Sequence, residues 1–69
     1  MLDLTRPDRQ VLDLLIQAFS NSEIAARLGT TEGAVKKHLA GIFFRNRIDP
    51  RKDRRVLLAV RYYGEKTAA

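Results

Sequence analysis

The sequence predicts an all-α fold, a compact four-helix domain. Apolar residues recur at intervals of three and four along the chain, which is the spacing of one helical face. Helix-capping residues and glycines divide these periodic runs into four short segments. Because 69 residues support only one core, we expect a single domain over residues 1–69 with an ordered core at about 4–64.

Helix one is expected to begin at Arg6. Thr5 and Asp8 have the spacing of a capping box, and Pro7 is tolerated in the first turn, where helix donors lack partners. Its inward stripe is Val11, Leu12, Leu15, Ile16 and Phe19.

Helix two is expected to begin after Ser20, which forms a second capping box with Glu23, and to end at Gly29. Its short apolar set is Ile24, Ala25 and Leu28.

Helix three is expected to begin after Thr31 and to run to about Arg45. Its inward stripe is Val35, Leu39, Ile42 and Phe43. Asp53 is the predicted cap of helix four, which carries "VLLAVRYY" up to Gly64, and the tail "EKTAA" is expected to fray.

The composition excludes several classes of protein. The chain has no cysteine and one histidine, so we expect neither a thiolate site nor a histidine metal cluster. No nucleophile–base pair or phosphate-cradling glycine loop can be assembled, so we expect no enzyme and no cofactor. No apolar run approaches the roughly 20 residues of a membrane span, and the first residues lack the order of a signal peptide, so we expect a cytoplasmic location.

The charge indicates an anionic partner. Thirteen Lys and Arg against eight Asp and Glu give a net charge of +5. Six of the basic residues lie in the segment "RNRIDPRKDRR" at 45–55, which contains two acids. Double-stranded nucleic acid is the first candidate for such a partner.

Helices two and three have the proportions of a helix-turn-helix, in which the second helix enters the major groove of DNA. Ala25 lets the two helices approach, and Gly29 turns the chain. On a helical wheel, the arc of helix three opposite its inward stripe holds Gly33, Lys36, Lys37 and Ala40. Small residues on that arc let the helix lie deep in a groove about 12 Å wide, while the lysines reach phosphates or guanine acceptors.

The stretches "LTRPDRQVLDLL", "SNSEIAARLGTTEGAVKKHL" and "GIFFRNRI" resemble the C-terminal DNA-binding domain of LuxR-type (NarL/FixJ/GerE-like) transcription regulators, over about Leu4 to Ile48. The resemblance implies a recognition role for helix three and, often, dimerisation through the last helix. The implied base-reading residues are Lys36, Lys37 and Ala40, and the implied phosphate contacts are Asn21, Ser22, Thr31 and Ala34. Arg45, at the start of the basic segment, is a further phosphate candidate.

The chain departs from the family pattern at several positions. Ala34 stands where a hydroxyl is common, and Asn46 and Arg47 stand where a leucine and a glycine are usual, so a core apolar residue is expected to be missing. Phe44 replaces a basic residue, so either helix three bends before it or Phe44 packs against helix four. The longer connection "DPRKD" is either a solvated loop or an extension of the phosphate contact. His38 either packs beside the recognition helix, which we favour, or contacts a phosphate.

Helix four carries more apolar surface than packing on one core requires. A homodimer would bury the excess through Val56, Leu57, Val60 and Tyr63. The alternative is that the small core wraps more of this helix.

We therefore predict sequence-specific DNA binding in transcription regulation. The alternative is a helix-turn-helix that docks on RNA polymerase or on another regulator, as the similarly patterned region of sigma factors does in part. The sequence leaves open whether the chain is a stand-alone regulator or a module of a longer one.

Overall fold

A computed structural model describes residues 1–68 and contains four helices. They are α1 (Arg6–Leu15), α2 (Asn21–Leu28), α3 (Glu32–Arg45) and α4 (Arg54–Thr67). Residues 1–68 form no strand, so the predicted all-α fold is confirmed.

All four predicted helix starts are confirmed by their caps. Thr5 with Asp8 and Ser20 with Glu23 form reciprocal capping boxes, in which the side chain of each residue accepts from the backbone N–H of the other. The bond from the Ser20 backbone is the main reason that the pKa of Glu23 lies below its usual value. The side chains of Thr31 and Asp53 accept from the third backbone N–H of their helices.

The ends of α1, α2 and α3 share one conformation, a residue with a left-handed backbone. These residues are Ala18 (φ 67°), Gly29 (φ 68°) and Arg47 (φ 51°). After α3, the Ile48 N–H donates to the Phe43 carbonyl at 3.0 Å and the Arg47 N–H donates to that of Phe44 at 3.3 Å, which is a Schellman ending. Only one of these three positions carries glycine, the residue that adopts a left-handed conformation without a steric cost.

Helix α4 is longer than predicted. The expected end at Gly64 and the expected fraying of residues 65–67 are wrong, because α4 continues to Thr67. Ala69, the last residue of the predicted tail, lies outside the described residues. Lys66 forms an ion pair with Asp13 of α1 at 2.5 Å, and the Leu2 N–H donates to Glu65 at 2.7 Å. Leu2 is itself buried in the core, so ordered contacts extend beyond the predicted range of 4–64 at both ends.

The core lies where α1 meets the other three helices, and α2 packs against α3. Its buried apolar residues are Leu2, Val11, Leu12, Leu15, Ile24, Ala25, Val35, Leu39, Ile42, Leu58 and Tyr62. Because Val35, Leu39 and Ile42 hold one side of α3 inward as predicted, the opposite side of that helix faces solvent.

Candidate nucleic-acid interface

The outer face of α3 is the candidate interface. Residues opposite the buried stripe are solvent-exposed along the length of the helix. We define this outer face as Gly33, Lys36, Lys37, Ala40, Gly41 and Phe44. It therefore includes the three predicted base-reading residues.

The two lysines differ in their surroundings. At about 100° per residue, Lys37 lies near the centre of the outer face and Lys36 lies at its edge. The Lys36 ammonium is 3.9 Å from a Glu32 carboxylate oxygen, and both side chains are more than half exposed. Within residues 1–68, Lys37 has no acidic partner within salt-bridge distance. The centre of the outer face therefore carries an uncompensated positive charge.

The packing of the chain does not explain the small residues of the outer face. A Cβ added at Gly33 or at Gly41 would meet no atom within 4 Å. A glycine inside a helix costs about 0.5–1 kcal/mol relative to alanine, and in α3 no internal contact offsets that cost. A partner that approaches the helix backbone closely would account for it.

Four of the predicted phosphate contacts, all except Arg45, lie at two helix starts, where backbone N–H groups and the helix dipole favour anions. Asn21 and Ser22 begin α2, and the side-chain oxygen of Asn21 accepts from the Arg55 guanidinium, which leaves its amide nitrogen free to donate. Thr31 and Ala34 are joined by the cap of α3, in which the hydroxyl accepts from the Ala34 N–H at 3.1 Å. The exposed Thr31 hydroxyl can still donate to a phosphate, whereas Ala34 offers neither a side-chain donor nor a free N–H.

A buried carboxylate ties α3 to α1. Asp8 is 2% exposed, and its carboxylate accepts from the Thr5 N–H at 2.8 Å, lies 2.6 Å from His38 Nε2 and pairs with the Arg45 guanidinium. The His38 side chain thus joins α3 to Asp8 of α1, which agrees with the structural role that we favour from the sequence. The Arg45 side chain remains about one-third exposed, so its phosphate contact would have to be made beside this ion pair.

This cluster was missed from the sequence. The spacing of Thr5 and Asp8 predicted the cap correctly, but Arg45 lies 37 residues further along the chain. The one signal in the sequence was His38, a polar residue in the middle of an otherwise periodic helix, which indicates that α3 needs a polar partner.

Asn46 occupies the position at which an apolar residue is expected to be missing after α3. Ile48 is buried, and the Asn46 side chain accepts from the Asp3 N–H at 2.5 Å and donates to the Asp3 carbonyl at 3.1 Å. The same amide donates to the Ile42 carbonyl at 2.9 Å. Asn46 therefore ends α3 and holds the N-terminal segment by hydrogen bonds instead of apolar packing.

Helix α3 continues without a break through Phe44 to Arg45. The expectation that Phe44 packs against helix four is wrong, because the Phe44 side chain is 85% exposed. It projects from the C-terminal half of the outer face instead of packing on α4.

The predicted dimer residues do not all share one face. Val56, Val60 and Tyr63 are each more than half exposed and recur at intervals of four and three on α4. They border an apolar groove whose other wall includes Leu15 and Ile16. Leu57 is half-buried and lies about 90° from this stripe around the helix, so the stripe does not include it.

Residues 1–68 offer neither a membrane-spanning helix nor a cluster of metal ligands. None of their helices combines the length and the apolar character needed to cross a bilayer. Their histidine and acidic side chains form no group of three suited to a metal ion.

Comparison with known proteins gives two matches. Residues 1–40 match the model of the family "Sigma-70, region 4". A protein of Aeromonas salmonicida that is named as an HTH-type transcriptional regulator is 40% identical over 50 residues, which are 72% of this chain and 26% of that protein. The chain thus spans about a quarter of the length of this relative. No solved structure is significantly similar to the chain.

Proposed function

The chain belongs to the sigma-70 region 4 family, and from that premise we propose that it binds double-stranded DNA in a sequence-specific manner, with α3 in the major groove, to regulate transcription. The matched family and the regulator from Aeromonas salmonicida support a general role in DNA binding and transcription regulation. Within that class, the sequence motifs favour a LuxR-type domain. Binding to chromosomal DNA is consistent with the cytoplasmic location that we predict from the sequence.

The observation that carries the proposal is the outer face of α3. Lys37 is unpaired at its centre, and the next outward residues along the helix are Ala40 and Gly41. A helix with this profile can approach base edges closely, while its lysine reaches a guanine acceptor or a phosphate. The net charge of +5 supplies long-range attraction to the DNA backbone.

The test is DNA binding measured by fluorescence anisotropy over a range of salt concentrations, after selection of bound sequences from a random duplex library. We expect Lys37→Ala to weaken binding by about 1–3 kcal/mol if it contacts a base. Lys36→Ala is expected to have the smaller effect, because Lys36 lies at the edge of the outer face beside Glu32.

Arg9→Ala is the matched control, because it also removes one positive charge from an exposed position. Arg9 lies on α1 instead of the outer face, in a groove that it shares with Tyr62 and Glu65 of α4. Binding by the Lys36/Lys37 double variant that equals wild-type binding would refute the proposal. The slope of log affinity against log salt gives the number of phosphates contacted, at about 0.9 per phosphate.

A second candidate function is docking on RNA polymerase or on another regulator. The specific observation in its favour is that the matching family model is the region 4 of sigma-70. A docking module would show a shallow salt dependence on any duplex and would select no sequence from the library.

We also propose a homodimer through the stripe of Val56, Val60 and Tyr63. A two-fold axis there would present two copies of α3 to half-sites about one turn of DNA apart. Val60→Glu introduces a charge at a 64% exposed position and is expected to convert a dimer into a monomer in sedimentation velocity. Arg61→Glu, at the neighbouring exposed position, is the control. A wild type that sediments as a monomer at high concentration, with and without DNA, would contradict the dimer.

A further inference from the structure

Phe44 is the most exposed aromatic side chain among the large hydrophobic residues on the surface. Its side chain is 85% accessible, although it belongs to a continuous helix whose inward residues are well packed. A lone exposed apolar residue is ordinary on a protein surface. Its position sets Phe44 apart, because it lies on the outer face of α3, almost directly in line with Lys37 along the helix axis.

The surroundings of Phe44 are basic on both sides. It forms a ridge between two shallow grooves, and its side chain borders both of them. Lys37 lines the first groove together with Arg45, whose charge is already paired with Asp8, and Arg47 and Arg54 line the second. An apolar protein surface would have to desolvate Lys37, Arg47 and Arg54 without compensation, whereas a polyanion would neutralise them. The expected partner is therefore anionic at its rim and apolar where it meets the ring.

We infer that Phe44 is a specificity-determining residue that recognises the methyl group of thymine in the major groove. This inference rests on the proposed function. The C5-methyl of thymine is the apolar group that base pairs display in the major groove, and phenylalanine is one of the side chains that contact it. Phosphates on either side of the groove supply the anionic rim that the cations require.

The spacing along α3 agrees with this assignment. Lys37 and Phe44 are seven residues apart, which is about 10 Å along the helix at 1.5 Å per residue. At about 3.4 Å per base step, the two side chains face bases about three pairs apart. Ala40, which is also a predicted base-reading residue, lies between them on the same face, and its methyl group offers a second apolar contact. The outer face thus combines one cationic contact with two apolar ones.

The experiment replaces thymines by uracil in the duplex selected from the library, which removes only the methyl group. Binding of the full chain is measured by fluorescence anisotropy at fixed salt, for the wild type, Phe44→Ala and Lys37→Ala. One buried methyl group corresponds to about a fourfold change in affinity. We expect the wild type to lose about that factor at one or two thymine positions. Phe44→Ala is expected to bind the thymine duplex more weakly and to show no further loss on the matching uracil duplex.

The outcomes separate this inference from the proposed function. If Lys37→Ala weakens binding while Phe44→Ala does not, the DNA-binding proposal stands and the role of Phe44 is overturned. A selected site without thymine in the contacted half, or an equal uracil effect on the wild type and Phe44→Ala, overturns it as well. A wild type that selects no sequence overturns both. If Phe44→Ala loses binding to RNA polymerase but keeps its DNA affinity, the ring is assigned to protein docking and the thymine contact is overturned. Circular dichroism checks the fold of each variant, and the exposure of Phe44 predicts that its helix content is unchanged.

Discussion

Gly41→Ala is predicted to make the domain more stable and a weaker DNA binder. Gly41 lies inside the 14-residue helix α3, where glycine costs about 0.5–1 kcal/mol relative to alanine. A Cβ at this position meets no atom within 4 Å, so no clash offsets the gain. We therefore expect the free energy of unfolding to rise by about 0.5–1 kcal/mol, which for a domain of this size raises the melting temperature by about 2–8 °C.

The same methyl group would stand between α3 and the floor of the major groove, so we expect affinity for the selected duplex to fall. Urea unfolding followed by circular dichroism measures the first effect, and fluorescence anisotropy measures the second. Gly64→Ala is the matched control, because Gly64 lies inside α4 and a Cβ there also meets no atom within 4 Å. It should gain similar stability with unchanged DNA affinity. A destabilised Gly41→Ala would refute the packing argument, and a stabilised variant that binds DNA like wild type would refute the close approach.

Three further predictions concern the fold that positions α3. Asp8→Asn removes the charge that His38 and Arg45 share at a buried site, and we expect a loss of about 2–3 kcal/mol in urea unfolding; a loss below about 0.5 kcal/mol would contradict a structural role for the cluster. Ala18→Gly relieves a left-handed backbone and is expected to stabilise the domain by about 0.5–1 kcal/mol in thermal unfolding, whereas a lower melting temperature would show that this position is not strained. Bonds from Lys66 and then Tyr62 lower the pKa of Asp13, so its contribution to stability is complete above the usual carboxyl pKa of about 3.9 and is lost as the pH falls through the lower folded value. Asp13→Asn should therefore be less stable than wild type at neutral pH by less than about 1 kcal/mol, with a difference that shrinks below about pH 4, and a difference independent of pH would contradict the pairing.

The helix starts were predictable because their signals are local. A capping box needs two side chains three residues apart, and both boxes in this chain form as their spacing indicates. The end of α4 was not predictable in the same way. Gly64 is a typical stop signal, but Lys66 pairs with Asp13, 53 residues earlier, and this tertiary contact extends the helix by a further turn. Local propensity is a weak prior that a tertiary contact can override.

The outer face of α3 was predictable from the wheel because burial of Val35 and Leu39 fixes the rotation of the helix. The surroundings of individual side chains on it were not. Adjacent lysines are equivalent in a motif, yet among the described residues Lys36 lies beside an acid and Lys37 does not. In the same way, Asp8 fulfils its predicted capping role and also binds two side chains of α3, which no local pattern encodes.

The departures from the LuxR-type pattern at the end of α3 differ in how far the fold accounts for them. Asn46 is explained by its hydrogen bonds to the Asp3 backbone. Arg47 has the left-handed backbone conformation that the glycine of the pattern would adopt, and this conformation costs conformational energy in a residue with a Cβ. Phe44 makes no packing contact that would explain it, and Gly41, one turn earlier on the same face, has an identity that internal packing does not require. Natural sequences break local rules mainly at functional sites, so these two unexplained residues, together with Lys37, support the proposed binding surface better than any one of them alone.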